Sequence, residues 1–121
     1  MLQKGLVDMA SNFFQVHHEF RAGQSQLWWE TAQLAMAPSG GWGEEVANNL
    51  DAGFYSRPFC PIGSEGPAYC IWEVREGITA VEFQEFIDGP NGVSFGLRAW
   101  MNICKEIKVE LAGNPPYPSK F

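Results

Sequence analysis

His17 and His18 stand side by side in the run Phe13–Phe20, FFQVHHEF, and the chain has no other histidine. In a strand, neighbouring side chains point to opposite faces, so this pair cannot chelate one ion without distortion. His18 shares its face with Phe14, Val16 and Phe20. A lone imidazole on an apolar face, titrating near neutrality, is the candidate general base of the chain. The competing reading is a neutral histidine hydrogen-bonded inside a core. His17 shares the other face with Phe13, Gln15 and Glu19, where Glu73 and Arg75 could join it in a charge network inside a dimer. A metal site built from His17 and carboxylates is the sharper alternative. No H-x-H, C-x-x-C or H-E-x-x-H spacing accompanies it, so no metal is expected.

Three cysteines do not make a disulfide framework. Cys60 and Cys70 are equidistant from the turn at Ser64-Glu65-Gly66 and are expected to face each other across a hairpin, as reduced thiols rather than a disulfide. Neither they nor Cys104 has a sequence neighbour that would lower a thiol pKa, which favours structural roles. The clusters Gly40-Gly41-Trp42-Gly43 and Gly89-Pro90-Asn91-Gly92 lack phosphate-loop spacing and a following Lys-Ser/Thr, and read as turns at a pocket mouth. Trp28, Trp29, Trp42, Trp72 and Trp100 are core formers in the first instance. Two or more of them around one pocket would suit a flat apolar ligand.

The elements that must position these groups are organised around Pro67–Pro90. Ala68, Cys70, Trp72 and Val74 alternate with Tyr69, Ile71, Glu73 and Arg75, which predicts a strand with one apolar and one amphipathic face. Thr79 and Glu82 form a T-x-x-E capping box ahead of Phe83, Phe86 and Ile87 at helical spacing. Asp88-Gly89-Pro90 ends that helix, with a left-handed glycine expected at its C-cap. Upstream, Phe13–Phe20 is the first strand. Gln24–Ala37 is the first helix, its apolar stripe expected from Leu27, Trp28, Thr31, Leu34 and Ala35. Trp42–Asp51 reads as a connection with at most a short helical turn over Glu44–Leu50. Gly53–Cys60 is a strand that Pro58 consigns to a sheet edge or a bulge. Downstream, a short helical run is expected over Leu97–Ile103 and a last strand over Lys105–Leu111.

These boundaries give one domain over residues 13–112, a lead-in over 1–12 that forms at most one helical turn, and a stiff Pro-rich tail over 113–121. The net charge of −6 and the absence of a basic run argue against nucleic acid and anionic membranes as partners. No apolar run approaches the ~20 residues of a membrane span. The N-terminus carries Asp8 and lacks the apolar core of a signal peptide, so a cytoplasmic location is expected.

The element order, β-α-β-β-α-β, predicts an α+β fold of ferredoxin-like type: a four-stranded antiparallel sheet with both helices on one face. The other face, bearing His17, Glu19, Tyr69, Ile71, Glu73 and Arg75, is too apolar to stand open. Pairing two such faces in a homodimer would cover it. In these respects the chain resembles the dimeric α+β barrel superfamily, which includes antibiotic-biosynthesis monooxygenases, muconolactone isomerase and stress-responsive barrel proteins.

Ile71-Trp72-Glu73-Val74 and the loop from Asp88-Gly89-Pro90 through Val93-Ser94-Phe95-Gly96 resemble the I-x-E-V strand and H-P-x-H-V-x-F-G loop of its plant polyketide cyclases. The resemblance implies a pocket between sheet and helices. Phe86 and Gly92 stand where those enzymes carry a tyrosine and a histidine, and neither can move a proton. A pocket lined by Phe14, Val16, Phe20, Trp28, Cys70, Trp72, Val74, Phe83 and Phe86, with His18 as base, is therefore expected to bind or convert a small aromatic acid without a cofactor. The alternatives are a non-catalytic binding or structural homodimer and, behind it, a haem-handling protein with His18 as axial ligand.

Overall fold

Three β-formers of the first strand, Phe13, Phe14 and Val16, are buried together with His18, and that strand becomes an inner strand of the sheet. The computed structural model describes residues 11–121; most of the lead-in, residues 1–10, lies outside them. The elements are β1 (Ser11–Phe20), α1 (Ser25–Met36), α2 (Trp42–Ala52), β2 (Phe54–Pro61), β3 (Ala68–Arg75), α3 (Ala80–Asp88), a 3-10 turn (Gly92–Ser94), β4 (Trp100–Glu106) and a single helical turn α4 (Val109–Ala112). The fold is α+β. Its four-stranded sheet has the order β2-β3-β1-β4, every neighbouring pair being antiparallel. Among the described residues no helix is long and apolar enough to cross a membrane.

One sheet face carries Phe14 opposite Trp72 and Val16 opposite Cys70, with His18 opposite Asn102 on the far side. The helices cover this face. Phe83 of α3 lies 4.8 Å from Phe14, while Trp28 of α1 meets Trp100 at 5.0 Å. Thr79 and Glu82 form the capping box at the start of α3 as expected. At its end Gly89 is extended rather than left-handed, and its N–H reaches back to the Phe86 carbonyl.

Four other expectations are corrected. The span Trp42–Ala52 is a full helix: its glycines suggest a connection, but Trp42, Val46, Asn49 and Leu50 are its inward positions at i, i+4, i+7 and i+8. Gly53 ends it at φ +106, where a Cβ would fall 2.5 Å from Ile78 Cδ1, so only glycine fits. On α1 the inward face is Ser25, Trp28 and Ala32, whereas Leu27 and Leu34 are exposed. The last strand begins at Trp100, earlier than its alternation over Lys105–Leu111 suggests, and Val109–Ala112 is helical.

Lastly, Cys60 opposes Tyr69 and Phe59 opposes Cys70. The hairpin centre is displaced by half a residue from the symmetric reading, which puts the two thiols on opposite faces of the sheet. Both are free. Pro58 does sit on an edge strand and at a bulge, three steps along β2 (Ser56 to Phe59) answering two along β3 (Trp72 to Cys70).

The other sheet face is divided. At one end Glu73 is fully buried; Arg57 donates to it at 2.7 and 3.1 Å and Ser11 at 2.6 Å, and the Lys120 N–H joins them. The C-terminal tail thus lies across this end, with Tyr117 against Phe13 and the Arg57 guanidinium 4.9 Å from both the Tyr55 and Tyr117 rings. Within one chain His17, Glu19, Glu73 and Arg75 do not come together as one network. His17 stands four residues along β1 from Phe13, the partner of Glu73, a distance of roughly 13 Å. Its neighbour is Glu19, at 3.2 Å, while Arg75 donates to the Asp51 carbonyl. The other end of the face carries half-buried Tyr69 and Ile71 beside exposed Met101 and Ile103.

Candidate functional site

Trp28, Ala32 and Met36 repeat every four residues and so form one stripe on α1; Trp42, Val46 and Asn49, four and then three residues apart, form another on α2. Between these stripes, the edge strand β2 and the loop after α3, the side chains leave a cavity of about 380 Å³. That volume lies within the roughly 300–1,000 Å³ usual for small-molecule sites. Trp28, Ala32, Asn49, Phe54, Trp72 and Val93 are buried and make its floor, while Met36, Pro61 and the half-exposed Trp29, Trp42 and Arg57 frame its mouth.

Most polar groups in this wall are already paired. The indole N–H of Trp28 donates to the Val93 carbonyl at 2.6 Å and that of Trp29 to the Ser64 carbonyl at 2.7 Å. The Asn49 amide donates to Glu45 at 3.1 Å, and the same carboxylate accepts the Gly92 N–H at 2.8 Å, tying α2 to the 3-10 turn. Arg57 is held by Glu73. The indole N–H of Trp72, in a side chain only 1% exposed, is turned toward the Cys70 sulfur and has no closer acceptor among the described residues.

Beside the cavity, and outside its walls, His18 is completely buried between two partners. Asn102 donates its amide to the Ile87 carbonyl (3.2 Å) and to Asp88 (2.9 Å), which turns its oxygen toward His18 Nδ1 at 2.6 Å. Nδ1 therefore carries the proton, and Nε2 accepts from the Cys70 thiol 3.1 Å away. Burial, only partly opposed by the Asn102 bond, lowers the His18 pKa to about 4. Burial pushes the Cys70 thiol up to about 12. The order Cys70–His18–Asn102 is that of nucleophile, base and orienting amide. Here every member is neutral and paired, with His18 and Cys70 fully buried and Asn102 half-buried.

Of the residues expected to line the pocket, the structure brings Trp28 and Trp72 into the cavity wall. Phe14, Val16, Cys70, Val74 and Phe83 are packed in the core instead. Phe20 stacks on Trp100 at 3.8 Å and Phe86 on Phe54 at 4.0 Å, so their faces are already covered. The cavity is displaced toward β2, which contributes Phe54–Arg57, Phe59 and Pro61 to its wall opposite α1 and α2. Sequence reasoning put Trp42 at a pocket mouth but on a turn, missed Val46 and Asn49 for want of α2, and missed Phe59 because the bulge reassigns its face. The i, i+4, i+7 spacing of Trp42, Val46 and Asn49 was the available signal.

Among the described residues no group of three or more His, Cys, Asp or Glu is placed to hold a metal ion. No curated protein and no solved structure matches the chain significantly. The profile of a family described as "Domain of unknown function (DUF8652)" matches residues 13–114, nearly the whole described chain, and the protein belongs to that family.

Proposed function

We propose that the protein is a non-catalytic binder of a small, flat aromatic molecule, held in the cavity between α1, α2 and β2. The observation that carries this reading is a wall made mostly of indole and phenyl rings, in which Arg57 is engaged by Glu73 and Asn49 by Glu45 and no histidine or carboxylate among the described residues takes part. The histidine that could do chemistry lies outside the wall with both nitrogens engaged. The positions where the resembling cyclases keep their acid and base support the same reading. A Cβ on Gly92 would stand 3.1 Å from the Trp72 ring and 3.9 Å from Phe86, so that corner is filled with aromatic carbon.

The strand order β2-β3-β1-β4, with helices following β1 and β3, fits the split βαβ arrangement of ferredoxin-like folds, α2 being an addition before β2. As part of the same proposal, two subunits pair through the uncovered end of the sheet face, around Tyr69, Ile71, Met101 and Ile103.

The cavity is tested by titrating the protein with Nile red, whose emission rises in apolar surroundings. Saturation at one dye per chain is expected. Val46→Trp, a half-exposed wall position, should weaken the dye at least tenfold by filling the space while leaving the circular dichroism spectrum unchanged. Equal affinity in both proteins would place the dye elsewhere and refute the proposal.

A further inference from the structure

Trp28 walls the aromatic cavity, and Trp100, 5.0 Å from it, walls a second hollow of about 290 Å³. This hollow lies between the end of β1, the C-terminal end of α3 and the chain entering β4, and what it holds is independent of the proposal above. Its size is at the lower end of the roughly 300–1,000 Å³ usual for small-molecule sites. Buried Ile87, Ser94 and Trp100 form its floor, and exposed Arg21 and Arg98 stand at its rim. Backbone pairing sets the two arginines on neighbouring strand ends: the Arg21 N–H donates to the Ala99 carbonyl at 2.7 Å, one residue from Arg98.

The other polar groups of the hollow are spent on the protein itself. The Ser94 hydroxyl donates to the Gly89 carbonyl at 2.7 Å, and the Trp100 indole to the Val93 carbonyl at 3.3 Å. Asn102 holds His18, Ile87 and Asp88, as described above. Asp88 accepts from Asn102 on one oxygen and from Gln84, at 3.0 Å, on the other. The two guanidiniums differ. Elsewhere Arg57 is held by Glu73, and Arg75 donates to the Asp51 carbonyl. Among the described residues the Arg21 and Arg98 side chains make neither an ion pair nor a hydrogen bond. In a chain of net charge −6, two unpaired cations therefore share one concave site.

We infer that this hollow is an anion site, in which Arg21 and Arg98 together grip a phosphate or carboxylate group of a small molecule. A guanidinium presents parallel N–H donors that match either oxyanion. A concave wall also strengthens the field of both cations relative to a flat surface. Asp88 opposes the anion, but its two oxygens are turned to Gln84 and Asn102. The ligand is small, because two arginines do not make the extended basic track that nucleic acid follows.

The test is an NMR titration of the isotope-labelled full chain with inorganic phosphate and with succinate, each against sodium chloride at equal ionic strength and neutral pH. At least one of the two should shift the Arg21 and Arg98 side-chain resonances along a saturable curve that chloride does not reproduce, and the tighter of the two names the group. Arg21→Gln and Arg98→Gln should each weaken that anion about tenfold, the scale of one charge-assisted contact. Lys108→Gln, which removes the same charge from an exposed position outside the hollow, should leave the affinity unchanged. Shifts no different from those with chloride would overturn the inference. So would full affinity in both arginine variants, or an equal loss in Lys108→Gln, which would mean that the anion answers to overall charge. The comparison with chloride in the unaltered protein decides the matter even if a variant does not fold.

Discussion

His18 is the residue whose chemistry looked most promising and whose surroundings most restrict it. An imidazole with one nitrogen on Asn102 and the other on Cys70 can take up a proton only by turning an acceptor into a second donor inside the core. The folded pKa, lowered by burial to about 4, lies below the 6.5 of an unperturbed side chain. The sign follows from linkage. The stability this histidine contributes is fully present above pH 6.5 and is lost as pH falls through about 4, because the unfolded chain protonates first. The slope approaches about 1.4 kcal/mol per pH unit, and the whole window amounts to something on the order of 3 kcal/mol. Urea unfolding between pH 7 and pH 5 should show the unaltered protein losing on the order of 1–2 kcal/mol. His18→Gln, less stable throughout, should lose that much less over the same interval. Parallel curves for the two proteins would mean that His18 is open to solvent, and a catalytic role would regain force.

At the scale of elements, the helix that makes the site is the one that hydrophobic periodicity conveys least clearly. Within α2, Trp42, Val46, Asn49 and Leu50 face inward, but Gly43 and the polar Asn48–Asn49 pair dilute the stripe. By contrast, β1, β3 and α3 carry strong alternation or a complete capping box and were legible almost to the residue. Pairing register was legible only approximately. A one-residue bulge at Arg57-Pro58 decides which face Phe59 and Cys60 take, and the proline announces an irregularity without its sense. What anchors α2 is Glu45, whose carboxylate accepts from Gly92 and Asn49 together. Glu45→Ala would leave the buried Gly92 N–H unpaired, at a cost of about 2 kcal/mol. It should also loosen both walls of the cavity. The expected result is a lower urea midpoint with unchanged m-value and weaker dye binding. Unaltered dye affinity would show that α2 keeps its place by apolar packing alone.

For the molecule as a whole, the decisive question is what covers the sheet face away from the helices. Part of the answer comes from the chain itself. The tail's composition indicates stiffness but no destination, and only the structure reveals Tyr117–Phe121 lying over Phe13, Tyr55 and the buried Glu73. The remaining end keeps Met101 and Ile103 about half exposed, next to Tyr69, Ile71 and His17. A two-fold axis through that end would bring each Ile103 near its counterpart and leave both tails undisturbed at the periphery. An ion in such a contact must lose its hydration without gaining a partner, whereas the same substitution on a solvated strand changes stability by no more than about 0.5 kcal/mol. Ile103→Lys should therefore turn a dimer into a monomer at micromolar concentration, as read by sedimentation velocity, with little change in its urea midpoint measured at high dilution. If the unaltered protein already sediments as a monomer, the pairing is wrong, and this end of the sheet is simply a wet surface bordered by its own tail.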